Sequence, residues 1–347
     1  MHHLVINTGI VDKERKIIGE ERRMRVEDRP IAYAFERLHG LYASSPYAHP
    51  VIGWPSDVEQ INDQDLYRWY YRWYQPQNAV IVAVGDIAPQ RFFNQVASHY
   101  ASLLNTSNVS LVASKFYTPL PAVGQVKMDV HWGKHTSAVL LSYQVPVINT
   151  LGKSPWPAYA LQAVAYMLTG NDSAILTQQL VHQQHLALSV AAYYDPFLAY
   201  DTAFTIVAIP AAGVSVAKLA KAVTKIINHV ATQPNMDQQL SWAKMDIHAD
   251  YVYQNDSLVE QGRWLGQLAS IGLPLSVASQ YIQSISQVTL PEVDSVLAQY
   301  FVLKNMKIID LSPKQASAQR NAIQSMNIVK KPIVAWFEPG VRDVQMA

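Results

Sequence analysis

Residues 125–132, QVKMDVHW, alternate without a break between polar and apolar side chains. A strand turns successive side chains to opposite faces, so Val126, Met128, Val130 and Trp132 must share one face, and Gln125, Lys127, Asp129 and His131 the other. A chain with this segment has to build a sheet and cover one face of it. Gly133 is placed to turn the chain into a second strand over 136–145. Beyond it the pattern predicts helices over 156–169 and 173–184, then strands over 187–195 and 202–209. Val216, Leu219, Ala220, Val223, Ile226, Ile227 and Val230 recur at three- and four-residue steps and predict a helix over 214–232. A long helical stretch follows over 236–271. TLPE (289–292) has the form of a capping box, and a last strand falls at 306–311. Strands joined as hairpins, with helices grouped beside them, mean the α+β class.

Upstream, residues 11–45 open with a charged run and read as helical, broken near Pro30 because proline lacks the N–H donor. Pro46, Pro50 and Pro55 make 45–57 a loop. Asp63 is placed to cap a helix that Pro76 stops. AVIVAVGD (79–86) reads as a buried strand. Pro89 opens another helix with an apolar stripe of Phe93, Val96, Ala97 and Tyr100. The expected domains are 1–113 and 125–313, joined by a linker at 114–124 and followed by a polar tail at 314–347.

Half of the 347 residues are apolar and 15% are charged, enough for sizeable cores and contrary to a disordered chain. A net charge of +1 provides no field to steer the chain to nucleic acid or an anionic membrane. The absence of cysteine excludes thiol catalysis, disulfides and cysteine-zinc sites. No run is long and apolar enough to predict a membrane span, and the first residues lack the pattern of a signal peptide.

YQPQNAVIVAVGDI (74–87), HPVIGWPSDVEQI (49–61) and ISQVTLPEVDSVLAQYF (285–301), in this order, resemble segments of the pitrilysin/insulinase-type metallopeptidases. The resemblance covers about residues 10–313. It implies two repeated α/β-sandwich domains, the first incomplete and truncated at its N-terminus. In that family an inverted H-x-x-E-H motif holds zinc through two histidines, and its glutamate acts as general base on the zinc-bound water. A glutamate on a later helix is the third ligand. That helix resembles ERKIIGEERRM (14–24), where the resemblance makes Glu21 the metal ligand and Glu14 a supporting catalytic carboxylate. Seven residues are almost two helical turns, so both share one face. The implied cofactor is zinc, and the implied partners are a peptide or unfolded protein substrate and a second subunit, in a homodimer or a heterodimer with a relative. Bacterial relatives are often exported, which favours the periplasm.

The sequence departs from the family in two places. No H-x-x-E-H occurs. HWGKH (131–135) has lysine for glutamate, HQQH (182–185) has no glutamate, and both read more simply as polar residues at a turn and at a helix end. Many relatives also carry an arginine and, later, a tyrosine that contact substrate. Here the matching segment SAIL…LAL puts Ile175 and Leu188 in those places. In two-subunit relatives the zinc-binding chain commonly lacks this pair. The leading expectation is a zinc endopeptidase in its intact form, with this chain alone inactive. The alternatives are a non-catalytic partner or scaffold subunit, and a decayed gene product. Glu14 and Glu21 have a plainer reading as solvated helix charges. The YRWYYRWY cluster (67–74) could stack on bases, but Leu66, Tyr70 and Trp73 at helical spacing fit packing better, and His49 fits a turn.

Overall fold

Asn7 caps α1 (Thr8–Arg22) by accepting the Ile10 N–H at 3.0 Å, and the helix widens into a π-helical turn at Arg23–Glu27. The break falls at Pro30, which opens α2 (Pro30–Gly40) in the first-turn position where a missing N–H costs nothing. A 3₁₀ turn (Pro46–Ala48), α3 (Pro55–Gln60), α4 (Asp63–Trp73) and α5 (Pro89–Tyr100) follow. The structure, a computed structural model, describes residues 4–42, 45–103, 125–133 and 136–313. The expected linker at 114–124 and tail at 314–347 lie outside the described residues.

Three expectations for this region change. Pro55, expected within a loop over 45–57, instead opens α3 in the first-turn position. Asn62, one residue before Asp63, is the cap of α4: its side chain accepts the Gln64 and Asp65 N–H groups, and the Asp65 carboxylate accepts the Asn62 N–H. Residues 79–86 are not a strand. No described strand pairs with them, and Val80 and Ile81 are about half exposed. A strand exists only with a pairing partner, and region 4–103 contributes no strand to the described sheet. For the same reason α5 has little to pack on. Phe93 is 62% exposed, while Phe92, Val96 and Tyr100 are half-buried.

Five strands, β1 (Val126–His131), β2 (Ala138–Val145), β3 (Ala187–Tyr193), β4 (Thr202–Pro210) and β5 (Met306–Ser312), form one sheet in the order β1-β5-β2-β4-β3. β1 runs parallel to β5, with Met128 beside Ile309, and the other pairs are antiparallel. Gly133, at φ 62°, therefore does not close a hairpin between β1 and β2, because β5 lies between them. Between β2 and β3 come α6 (Ile148–Leu151), α7 (Trp156–Thr169) and a π-helical stretch (Thr177–Gln183). Between β4 and β5 come α8 (Val216–Ile227), α9 (Met236–Asn255), α10 (Leu258–Ser270), α11 (Ser276–Gln287) and α12 (Leu290–Tyr300). The expected single stretch at 236–271 is two helices, since Ser257 caps α10 by accepting the Glu260 N–H. The capping box at Thr289 and Glu292 forms as expected.

The sheet is covered on both faces. Val139, Leu141, Tyr143, Phe204, Ile206 and Ile308 meet the helical layer led by α7, α8 and α12 in the larger core. Leu140, Val207, Ile309 and Leu311 on the other face meet Ala34, Leu38 and Tyr42 of α2 and its end. This second contact joins region 4–103 to the sheet. Tyr33 stacks on Trp132 at 4.4 Å, and the Tyr42 hydroxyl lies 2.6 Å from Ser142 Oγ. Lys307 Nζ sits 3.8 Å from the centre of the Tyr42 ring, a cation–π contact that offsets part of the cost of burying the amine. Burial lowers the Lys307 pKa and pushes the Tyr42 hydroxyl well above its usual range, so at neutral pH the phenol is a neutral hydrogen-bonding group.

α2 in turn holds α1. Arg22 and Glu36 are both buried, with Arg22 Nη2 2.8 and 2.9 Å from the two carboxylate oxygens and Nη1 donating to the Gly53 carbonyl at 2.7 Å. Removing Glu36 leaves the buried Arg22 only the partly exposed Glu27 carboxylate, 3.3 Å from its Nε. Glu36→Ala should therefore lower the unfolding free energy by about 3–5 kcal/mol in denaturant titration, and Arg22→Met with Glu36→Leu should recover most of that loss. His39, near the end of α2, is half-buried, and desolvation lowers its pKa to about 4. A base whose folded pKa lies below its unfolded value lends stability above pH ~6.5 that is lost as pH falls through ~4. Unfolding free energies from urea titration at pH 7 and pH 4.5 should thus differ more for the native chain than for His39→Asn, by roughly 1–3 kcal/mol.

Candidate functional site

α1 is amphipathic with two usable faces. Val11, Arg15, Ile18 and Arg22 turn inward, where Arg15 Nη1 donates to the Glu59 carbonyl at 2.7 Å and Arg22 reaches Gly53. The two arginines fasten the helix to the backbone of the 53–59 segment. Tyr67 of α4 adds a third tie by donating to the Ile6 carbonyl at 2.8 Å. With these anchors the flank of α1 about 110° around from the buried face keeps a fixed orientation.

That side carries both predicted carboxylates. Glu14 and Glu21 lie within one regular helix, seven residues apart, so they share a face as the spacing predicts. Glu14 is exposed. Glu21 Oε1 is 2.8 Å from Arg25 Nη2, with both side chains substantially in solvent. An exposed pair of this kind contributes at most about 1 kcal/mol, so a cation with better geometry displaces Arg25 at little cost. Interleaved with the carboxylates are three large apolar side chains at the same seven-residue step. Ile10 and Ile17 are each 48% exposed, and Met24 in the π-helical turn is 56% exposed. This stripe of Ile10, Glu14, Ile17, Glu21 and Met24 has the form of a seam for a second helix. The seven-residue repeat was readable in the sequence, but the surrounding charge run hid the apolar positions.

A catalytic zinc needs three protein ligands and an open position. Among the described residues no group of three or more His, Cys, Asp or Glu side chains comes together in a way that could hold a metal ion. Glu14 and Glu21 supply oxygen and no imidazole, so the residues present do not fit a catalytic zinc by themselves. The histidine pairs do not fill the gap. His131 Nδ1 is 2.8 Å from Ser312 Oγ, and Lys134 and His135 lie outside the described residues. His182 lies in the π-helical stretch, and His185, at φ 51°, has its Nδ1 3.1 Å from the Val181 carbonyl. His49 accepts the Trp54 indole N–H at 3.3 Å, as suits a turn residue. Tyr70 is buried and Leu66 and Trp73 are half-buried, so the aromatic cluster of α4 packs along that face.

Ile175 and Leu188 fall in different surroundings. Ile175 is 4% exposed, within the larger core. Leu188 is 71% exposed on β3, an edge strand, where the register with β4 shifts between Ala187 and Ser189. It is the extra residue of a bulge, which aims its side chain out of the sheet. Neither side chain can hydrogen-bond a peptide.

Comparison with known proteins gives the family and the fold. The family described as "Peptidase M16 inactive domain" matches residues 60–241. The chain is 27% identical over 304 residues to a Helicobacter pylori protein named zinc protease PqqE, taking in 80% of this chain and 65% of that protein. It thus spans slightly less than two thirds of that relative's length. A crystal structure of a protease from Helicobacter pylori shares the fold with a TM-score of 0.80 at 23% identity, over 89% of this chain and 74% of that one. The ferredoxin protease FusC, solved in complex with Arabidopsis ferredoxin, matches with a TM-score of 0.64 at 19% identity, over 88% of this chain and 35% of that one.

Proposed function

The chain belongs to the M16 peptidase family, and from that premise we propose that it is the part of a zinc endopeptidase that presents the third metal ligand, inactive as these 347 residues alone. The observation that carries this reading is the outward stripe of α1, where Glu14 and Glu21 stand on one face between the uncovered Ile10, Ile17 and Met24. In the intact enzyme a helix bearing two histidines lies along that stripe. Glu21 would complete the donor set as a third, anionic ligand, and Glu14, almost two turns away, would orient it. Zinc there would supply an activated water for peptide hydrolysis. This chain's own contribution is placement: the Arg22–Glu36 pair and the Arg15 contact hold α1 so that Glu21 faces the seam. The substrate class is a peptide or unfolded protein.

A second reading rests on a separate observation. Ile175 in the core and Leu188 in solvent replace side chains that could bind a peptide backbone, which favours a subunit that works beside a relative supplying those contacts. No described helix is long and apolar enough to cross a membrane.

Metal analysis after dialysis tests the proposal. The 347-residue chain should retain less than about 0.1 zinc per molecule and cleave no unstructured peptide. A form extended upstream to include H-x-x-E-H should retain about one zinc, and Glu21→Gln in that form should weaken zinc binding by about 10-fold or more and abolish cleavage. Full zinc retention and activity in Glu21→Gln would contradict it.

A further inference from the structure

α8 carries all of its lysines on one face. Lys218, Lys221 and Lys225 step by three and then four residues, and all three are exposed. The stripe they form is about 10 Å long. Among the described residues no carboxylate lies within ion-pair distance of any of the three amines. The stretch 202–236, which contains β4 and α8, holds these three lysines and no aspartate or glutamate. The net charge of the whole chain is only +1, so this excess is local.

The helix is not stabilised by this charge. Like charges three and four residues apart repel each other. Lys218 is the third helical residue, and Ser215 caps α8 by accepting its N–H at 3.2 Å. A glutamate in that position would complete a capping box and favour the helix dipole, whereas a cation opposes the dipole. The first turn holds no acid to offset it. A face with three like charges, set against its own helix, is completed by opposite charge from outside the chain.

The character of the face selects the partner. No exposed large apolar side chain lies in 202–236, so nothing there enters a membrane. α8 has no arginine to grip phosphates and no aromatic ring to stack on bases. Amines spaced along a helix are matched by carboxylates spaced along another. An antiparallel helix with glutamate or aspartate at steps of four and then three meets each lysine, and it brings its negative C-terminal end towards Lys218. No described helix of this chain carries three carboxylates at such steps, so a second copy does not supply the match. Asp246 and Asp250 of α9, one turn apart, are already bonded to Asn171 and Tyr166.

We infer that α8 is a docking face for an acidic helix of a partner protein, held by Lys218, Lys221 and Lys225. The inference goes beyond the zinc reading and does not depend on it, because α8 lies in residues 125–313 and needs no metal.

Fluorescence anisotropy tests it, with the 347-residue chain and a labelled helical peptide whose glutamates stand at steps of four and three. Lys218→Gln, Lys221→Gln and Lys225→Gln together should weaken binding by at least about 10-fold, and raising NaCl from about 50 to about 300 mM should do as much. Lys218→Glu, Lys221→Glu and Lys225→Glu together should instead bind the same peptide with lysines in place of its glutamates, which shows that the face is still folded. Any of three results would overturn the inference. These are no binding by the native chain, unchanged affinity in the glutamine variant, and equal or tighter binding of an alternative probe: a peptide with its glutamates dispersed around the helix, anionic phospholipid vesicles or single-stranded DNA.

Discussion

The seating of α2 on the open face of the sheet is the contact on which the rest of region 4–103 depends. Ala34, Leu38 and Tyr42 close a core that Leu140, Val207, Ile309 and Leu311 begin. Without α2, those sheet residues would face water. The helix also carries Glu36, whose buried pairing with Arg22 sets the position of α1. A rigid sheet thus controls, through two helices, where Glu14 and Glu21 point. Tyr47 adds a tie from the other side of the loop by accepting the Ala199 and Tyr200 N–H groups at 2.9 and 3.3 Å.

The two parts of the chain differ in how fully they are satisfied. Residues 125–313 enclose a large core between the sheet and its helices, with β2 buried on both faces. Region 4–103 is held firmly at α1 and α2, yet it leaves an apolar stripe on α1 and an apolar segment at 79–84 that pairs with no strand among the described residues. Large uncovered apolar surfaces in a folded chain mark places of interaction with a protein, a ligand or a membrane. Both surfaces belong to the part of the chain that carries Glu14 and Glu21.

What could be read from the sequence was mainly local. The alternation at 125–132 gave β1 and its buried face, and the bounds of α7 and the capping box before α12 followed from short-range pattern. The insertion of β5 between β1 and β2 was not legible, because its partners lie at the far end of the chain. Residues 79–86 have the composition of a strand, but pairing is a tertiary condition that composition cannot guarantee. The buried Arg22 looked like one charge among many. The carboxylate pair was legible in part: spacing gave a shared face, and the resemblance to a family gave it a role. The short helix α11 was missed, since its Ser- and Gln-rich sequence dilutes the apolar period carried by Ala278, Tyr281 and Ile285.

The most direct measurement supplies the H-x-x-E-H helix as a separate polypeptide and follows its association with the 347-residue chain by calorimetry, with and without zinc. The account predicts binding that zinc strengthens by an order of magnitude or more and that Glu21→Gln returns to the metal-free level. Association indifferent to zinc, or unchanged by Glu21→Gln, would contradict the claim that α1 presents the third ligand of a metal site.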